Sequence, residues 1–306
     1  MRHSFFFSWP LAGRRAAADV GLDWADDGLR LIQLSADGAL VQAQLAWPST
    51  GVPLDGDGVQ LLAESLQQLW QQAGVRQRRV RAALPESMLQ RRSLRLPAGL
   101  DEAELEALVQ AEWQRQAGAD AMALPALDFR CLPAEPGATR QEVLAVAADG
   151  QRLEQLQQAV RVAGLQLLSV DAALHAAHRA ALRCLQRQPA GLQLLVLHAG
   201  SGQLCLQILQ QGRPWWRYQL PEKRAAAGQD WLALVPELLS ALPDPGWLLA
   251  AEAWVAGVGA DAELVSATLQ AQTGRPWRCL EPAPGMTAGM LVACGLAWQQ
   301  EGAWTR

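Results

Sequence analysis

The sequence predicts an α/β protein of two similar halves with a small separate module inserted in the first. Three observations carry this. At 306 residues the chain exceeds the usual size of one domain. The stretches 20–47 and 192–220 each read as three short strands joined by two turns, an internal duplication. Between them, 86–170 reads strand-helix-strand-strand-helix-strand, the order of a split βαβ module that folds as a small sheet with two helices.

Val20 to Trp24 is a short apolar strand that ends in the loop Ala25-Asp26-Asp27-Gly28. Leu29 to Leu34 follows as a second strand, and Ala36-Asp37-Gly38-Ala39 turns into a third at Leu40 to Trp47. Leu61, Leu62, Leu66, Leu69 and Trp70 recur at helical spacing, and Gly74 closes that helix. Arg79 to Leu84 is a strand broken by Pro85. In the module, strands are expected at Met88 to Leu96, Leu127 to Leu132, Glu142 to Ala148 and Leu165 to Val170. Its helices are expected at Asp101 to Gln116, with acids in the first turn, and Leu153 to Ala163. Ala172 to Arg187 is a further helix. The second strand triplet is Leu192 to Leu197, Gln203 to Leu209 and Trp215 to Leu220. Helices at Trp231 to Leu242, from Asp261 to Gln272 and from Met286 onward flank strands near Trp247 to Val255 and at Trp277 to Leu280.

Half of the residues are hydrophobic and 18% are charged, a composition that builds a core and excludes a disordered chain. The net charge of −4 predicts no broad attraction to nucleic acid. Cys131, Cys184, Cys205, Cys279 and Cys294 are scattered and odd in number, which fits buried free thiols in a reducing compartment better than a disulfide or zinc framework. No run reaches the roughly 18–20 uncharged apolar residues of a membrane-crossing helix. Phe5-Phe6-Phe7-Ser8-Trp9 is too short for a secretory signal, with Arg14 and Arg15 behind it. It reads either as an anchor onto a membrane surface or partner, or as a loose tail.

A set of segments resembles the PilM family of type IV pilus assembly proteins. They include Val80-Arg-Ala-Ala-Leu84-Pro85, Ser93-Leu-Arg-Leu96-Pro97-Ala-Gly-Leu100 and Asp101-Glu-Ala-Glu-Leu105 with Glu112-Trp113. Val143-Leu-Ala-Val146-Ala, Ala163-Gly164-Leu165 and Val170-Asp171 continue the likeness. Gly21-Leu-Asp23 and Leu31-Ile-Gln-Leu34 match its opening, and Ala256-Gly257-Val-Gly259-Ala260 and Ala293-Cys-Gly295-Leu-Ala297 its close. The resemblance implies an actin-like fold of two ribonuclease H-like lobes with a ferredoxin-like 1C insert. It divides the chain into a tail (1–17), subdomain 1A (18–85 and 171–188), 1C (86–170) and a second lobe (189–306) whose 2B part is cut down around 221–250. It also implies a cytoplasmic protein held at the inner membrane by partners. The first of these is the cytoplasmic N-terminal peptide of a PilN-like membrane protein, or its counterpart in a mannose-sensitive haemagglutinin pilus, and other inner-membrane pilus components would follow. A groove between 1A and 1C is the expected peptide site, with Leu84, Met88, Arg91, Arg92 and Arg95 as the residues chosen in it.

Family members of usual length bind ATP between the lobes through two hairpins, each headed by an acid and lined by backbone N–H groups. Here Asp23 keeps the acidic place of the first hairpin, but Ala25, Asp26 and Asp27 stand where Gly, Ser and Ser are usual. Carboxylates facing a triphosphate cost roughly a few kcal/mol unless a metal intervenes. In the second hairpin His198 replaces the acid, followed by Gly200, Ser201 and Gly202. The adenosine-side turn keeps Gly257 and Gly259 around Val258. Asp23, Gly200, Gly202, Gly257 and Gly259 are thus remnants of a nucleotide cleft, and the expectation is a scaffold without ATP or magnesium, a pseudo-ATPase. The alternative is a working ATPase of the same machine, and a polymerising actin-like protein is a third reading.

Arg76, Arg78, Arg79, Arg81, Arg91, Arg92 and Arg95 concentrate positive charge near the start of the insert. They serve either anionic headgroups or an acidic partner, or a solvated strand edge guarded against aggregation. Thirteen tryptophans against one tyrosine is unusual, and of the adjacent Trp215 and Trp216 one is expected in the core and the other as a contact anchor. His175 and His178 lack the carboxylate or Cys that a metal would need beside them.

Overall fold

A computed structural model describes residues 19–25, 27–34, 40–47, 58–117, 125–131, 138–186, 191–198, 204–210, 213–220, 234–244, 246–257, 262–282 and 286–298. In the first lobe, β1 (Val20–Ala25), β2 (Gly28–Leu34) and β3 (Leu40–Ala46) form an antiparallel meander. β4 (Arg79–Leu84) and β8 (Gln166–Ala172) extend it in parallel, giving the order β3-β2-β1-β4-β8. β1 and β4 are buried nearly throughout, as central strands covered on both faces must be. One face carries α1 (Gly58–Ala73) and α3 (Gly150–Val162), whose Leu62, Leu66 and Leu69, and Leu153, Leu156 and Val160, meet over the sheet. The spacings of three and four residues put each set on one helical stripe.

The second lobe repeats the plan. β9 (Leu192–His198), β10 (Leu204–Gln210) and β11 (Arg213–Gln219) form the meander, and β12 (Glu252–Gly257) and β13 (Arg278–Cys279) add in parallel, in the order β11-β10-β9-β12-β13. This duplicated two-lobed α/β arrangement agrees with the actin-like fold that the family resemblance implies.

Two helices lie between the sheets: α4 (Ala173–Leu185), and α8 (Leu291–Ala297) near the C-terminus. With them pack Ile32 and Ala83 of the first sheet and Leu195, Leu197, Trp254 and Ala256 of the second, so one apolar layer joins the lobes. Two glycines allow the close approach. A Cβ on Gly21 would stand 2.0 Å from the Ala293 carbonyl oxygen, and one on Gly295 1.8 Å from that of Ala176. Both distances are far inside van der Waals contact.

The insert departs from expectation. It is a three-stranded antiparallel sheet, β5 (Leu89–Pro97), β7 (Arg140–Asp149) and β6 (Pro125–Cys131) in the order β5-β7-β6, backed by α2 (Glu102–Ala117). The helix and strand read as the last third of the βαββαβ module, α3 and β8, belong to the first lobe instead. β8 pairs with β4, and α3 packs on α1. The physical reason is burial: the Leu153, Leu156 and Val160 stripe finds the larger core of the lobe, while α2 with Leu105, Val109 and Trp113 covers the small sheet.

In the second lobe the strand expected from Trp247 begins only at Glu252, because Trp247–Ala250 closes a helical turn, with the Leu249 and Ala250 amides donating to the Gly246 carbonyl. The helix expected from Trp231 is described as Val235–Ser240, α5, with Trp247–Ala250 as α6 and Ala262–Thr273 as α7. Much of the region expected as a shortened 2B, 221–233, lies outside the described residues.

Candidate functional site

The first candidate is the floor of the interlobe cleft. The parallel register places Asp23 of β1 beside Ala83 of β4, and Ala83 beside Asp171 of β8. Two carboxylates therefore stand in one row, two strand spacings or about 10 Å apart. They sit at the C-terminal ends of parallel strands, where α/β sheets bind ligands. In the other lobe His198 ends β9 beside Gly257 of β12. Asp26, Gly200, Gly202, Gly259 and the side chain of His198 lie outside the described residues.

Each carboxylate of the row is met by an arginine of the chain itself. Asp23 is fully buried, and across the hairpin its register partner Arg30 brings Nη1 within 3.5 Å of Oδ2. The same guanidinium donates through Nη2 to Asp27 Oδ2 at 2.5 Å. Arg30 is thus a tethered cation between two acids of the hairpin. Trp47 fixes the loop backbone, its Nε1 donating to the Ala25 carbonyl at 3.0 Å and its amide to that of Asp27 at 3.1 Å. Asp171 accepts from its neighbour's amide, Ala172 N, at 2.8 Å and pairs with Arg179 Nη1 at 2.5 Å. Burial pushes the Asp171 carboxyl up, but Arg179 and His175 outweigh it and hold it below the usual carboxylate range. Arg30, Trp47 and Arg179 were missed in the sequence. The hairpin register alone, with Ala25 opposite Gly28, would have placed Arg30 opposite Asp23.

Gly257 has a packing role of its own, since a Cβ there would lie 2.8 Å from the Ala262 Cβ at the start of α7. His175 and His178 diverge: His175 Nδ1 lies 3.7 Å from Asp171, while His178 Nε2 donates to Gln207 Oε1 of the second lobe at 2.8 Å. Among the described residues there is no cluster of three metal-ligating side chains.

The second candidate is the junction of lobe and insert. Leu84 is fully buried in the core of the lobe, and Met88 packs partly buried against the same core. Between them Glu86 is buried. Its carboxylate accepts from Arg91 through both Nη atoms, the Nη2 contact being 3.0 Å, and from the Leu174 amide at 3.0 Å. The N-cap of α4 is Ala172, with no side-chain acceptor, so Glu86 caps that helix from 88 residues away. Arg92 is also engaged: its guanidinium lies 4.4 Å over the Trp113 ring and donates to the Trp113 carbonyl at 2.8 Å. Of the arginines chosen on this strand, Arg95 is the exposed one. β5 pairs with β7 alone among the described residues, so its other edge carries no partner strand among them.

Trp215 is 60% exposed while Trp216 packs partly buried. A β-bulge separates them. The register slips so that Trp216 faces Ile208 and Pro214 faces Leu209, leaving Trp215 as the extra residue turned outward. Among the described residues no helix is long and apolar enough to cross a membrane.

The family model for the type IV pilus assembly protein PilM matches residues 21–219, which include Asp23, Asp171, His198 and the junction of lobe and insert. No curated protein matches the chain. Among solved structures, a PilM-PilN type IV pilus biogenesis complex is 21% identical, with a TM-score of 0.66, over 93% of this chain and 98% of that one. The ethanolamine utilization protein EutJ from Carboxydothermus hydrogenoformans is 12% identical, with a TM-score of 0.46, over 95% and 92%. The cytoplasmic domain of EpsL, an inner-membrane component of the type II secretion system of Vibrio cholerae, is 13% identical, with a TM-score of 0.46, over 92% and 95%.

Proposed function

The chain belongs to the type IV pilus assembly protein PilM family, and from that membership we propose that it is a scaffold of pilus assembly, not an ATPase. It binds the cytoplasmic N-terminal segment of a PilN-like inner-membrane protein and is held at the cytoplasmic face of the membrane with other pilus components. The observation that carries the reading is the closed ion network Asp23–Arg30–Asp27. An entering triphosphate would meet Asp27 already on the guanidinium, and a magnesium ion would compete with a covalently tethered cation for Asp23. What remains is the junction of lobe and insert. An extended peptide added to the other edge of β5 would gain backbone hydrogen bonds, with Arg95 and Met88 as its side-chain contacts. Arg91, Arg92 and Leu84 hold the shape of that surface from within.

Isothermal titration calorimetry of the full chain tests this with two titrants. A synthetic N-terminal peptide of the PilN-like protein from the same organism should bind, and ATP with magnesium should give no heat up to millimolar concentration. ATP turnover, or a folded protein silent to the peptide, would overturn the reading.

A further inference from the structure

The sheets end in the strands β3, β8, β11, β13, β5 and β6, and an edge strand normally carries something that blocks a further strand. Asp171 lies in β8, β11 has Pro214 and its bulge, and β13 is two residues long. β5 has three arginines, and β6 has Pro125, Asp128 and Arg130. β3 has none of these devices. Its seven residues, Leu-Val-Gln-Ala-Gln-Leu-Ala, include no charge and no proline, and they pair with β2 without a register shift. The acids nearest in sequence, Asp37 and Asp55, fall outside the strand. Among the described residues no strand lies along its outer side.

The register also fixes which backbone groups face outward. The Trp47 amide donates to the Asp27 carbonyl across the hairpin. By the alternation of an antiparallel ladder, Leu45, Ala43 and Val41 then turn their N–H and C=O groups toward β2. Leu40, Gln42, Gln44 and Ala46 turn theirs away from the sheet. Side chains alternate as well: Val41, Ala43 and Leu45 pack against the core of the lobe, while Gln42, Gln44 and Ala46 are exposed. We propose that β3 pairs antiparallel with the β3 of a second copy of this chain, about a twofold axis at Ala43. That axis sets Gln42 opposite Gln44 of the second copy, and Val41 opposite its Leu45. Amides then meet amides, apolar side chains meet apolar ones, and no charge faces a like charge. Every outward residue finds a partner, in four narrow pairs of two bonds each, or about eight backbone hydrogen bonds. Moving the axis to Gln42 would leave the Ala46 end unpaired. The strand is its own complement, which favours a second copy over a foreign strand. This goes beyond peptide binding at β5 and does not rest on it, because β3 and β5 belong to different sheets.

Sedimentation velocity of the full chain over a wide concentration range tests the proposal, and a reversible dimer that grows no further is expected, because a twofold contact closes on itself. Gln42→Pro keeps the bonds to β2, since the Gln42 N–H faces outward, and should leave circular dichroism unchanged. It removes an outward donor from each copy and sets a ring against the facing strand, so the dimer should weaken at least about thirtyfold. Ala43→Cys gives a second reading that does not depend on the proline variant. At the axis the two Cα atoms form a non-hydrogen-bonded pair about 4.5 Å apart, within the span of a disulfide. Diamide, taking one hydrogen from each thiol, should therefore join two copies of Ala43→Cys quickly. Wild type and Ala46→Cys, whose new thiol would stand opposite Leu40, should crosslink far more slowly. A chain that stays monomeric throughout, a dimer indifferent to Gln42→Pro, assembly beyond the dimer, or Ala46→Cys crosslinking as fast as Ala43→Cys would each overturn it.

Discussion

Replacing Glu86 by Ala removes a carboxylate that touches lobe, insert and interlobe helix together. Glu86 and Arg91 are almost wholly buried, with side-chain exposures of 0% and 8%. Breaking such a pair from one side leaves a desolvated guanidinium without a counter-charge, at a cost of about 3–5 kcal/mol. Leu174 N–H, in the first turn of a helix capped by Ala172, also loses its acceptor, about 1 kcal/mol more. Shared partners make the two losses less than additive, so about 3–5 kcal/mol is expected in total. For a chain of this size that corresponds to a fall in Tm of roughly 5–8 °C. Thermal denaturation by circular dichroism reads it. Glu86→Gln keeps an acceptor for Leu174 and should lose less. Glu86→Ala with Arg91→Ala should recover part of the single loss, because most of that loss is the stranded arginine. A single variant within about 1 kcal/mol of wild type, or a double variant less stable than Glu86→Ala, would refute the reasoning.

Two further outcomes follow from packing and charge. Gly295→Ala places a Cβ where the Ala176 carbonyl stands 1.8 Å away, so the α4–α8 crossing must open. A loss of at least about 2 kcal/mol is expected in urea unfolding, and a neutral result would mean that the helices sit further apart. Asp171 titrates below its ordinary value when folded, so the unfolded chain takes up the proton first as pH falls. Its contribution is therefore complete above the unfolded pKa of about 3.9 and is lost as pH drops through the depressed folded value. Asp171→Asn should be less stable than wild type at pH 6, with the gap narrowing once pH falls below about 4, and a gap that stays constant below that point would contradict the assigned pairing with Arg179.

Much of the fold was legible because its signals are short-ranged. The short apolar runs of β1, β4 and β9, the leucine stripe of α1 and the repeated strand triplet are properties of adjacent residues, and the structure returns each. The stretch 165–170 was equally legible as a strand, yet its sequence does not say which edge it will join. That choice fell to β4, because α3 preceding it could bury its stripe only against α1.

The candidate site divides the same way. Asp23 and the loss of the usual Gly-Ser-Ser pattern after it could be read directly, and so could the absence of a metal-ligand motif. The fate of the arginines could not. Arg91, Arg92 and Arg95 share one strand and one residue type, but tertiary contact assigned them a buried carboxylate, an indole face and solvent respectively. A guanidinium's role is set by whatever charge or ring stands within a few ångströms, and Glu86 reaches a helix amide 88 residues away. Local backbone preference is encoded residue by residue, so the sequence by itself determined the elements and their order. Charge compensation and close approach depend on which distant residues meet, so only the folded chain decided how the hairpin, insert and interlobe helices are tied together.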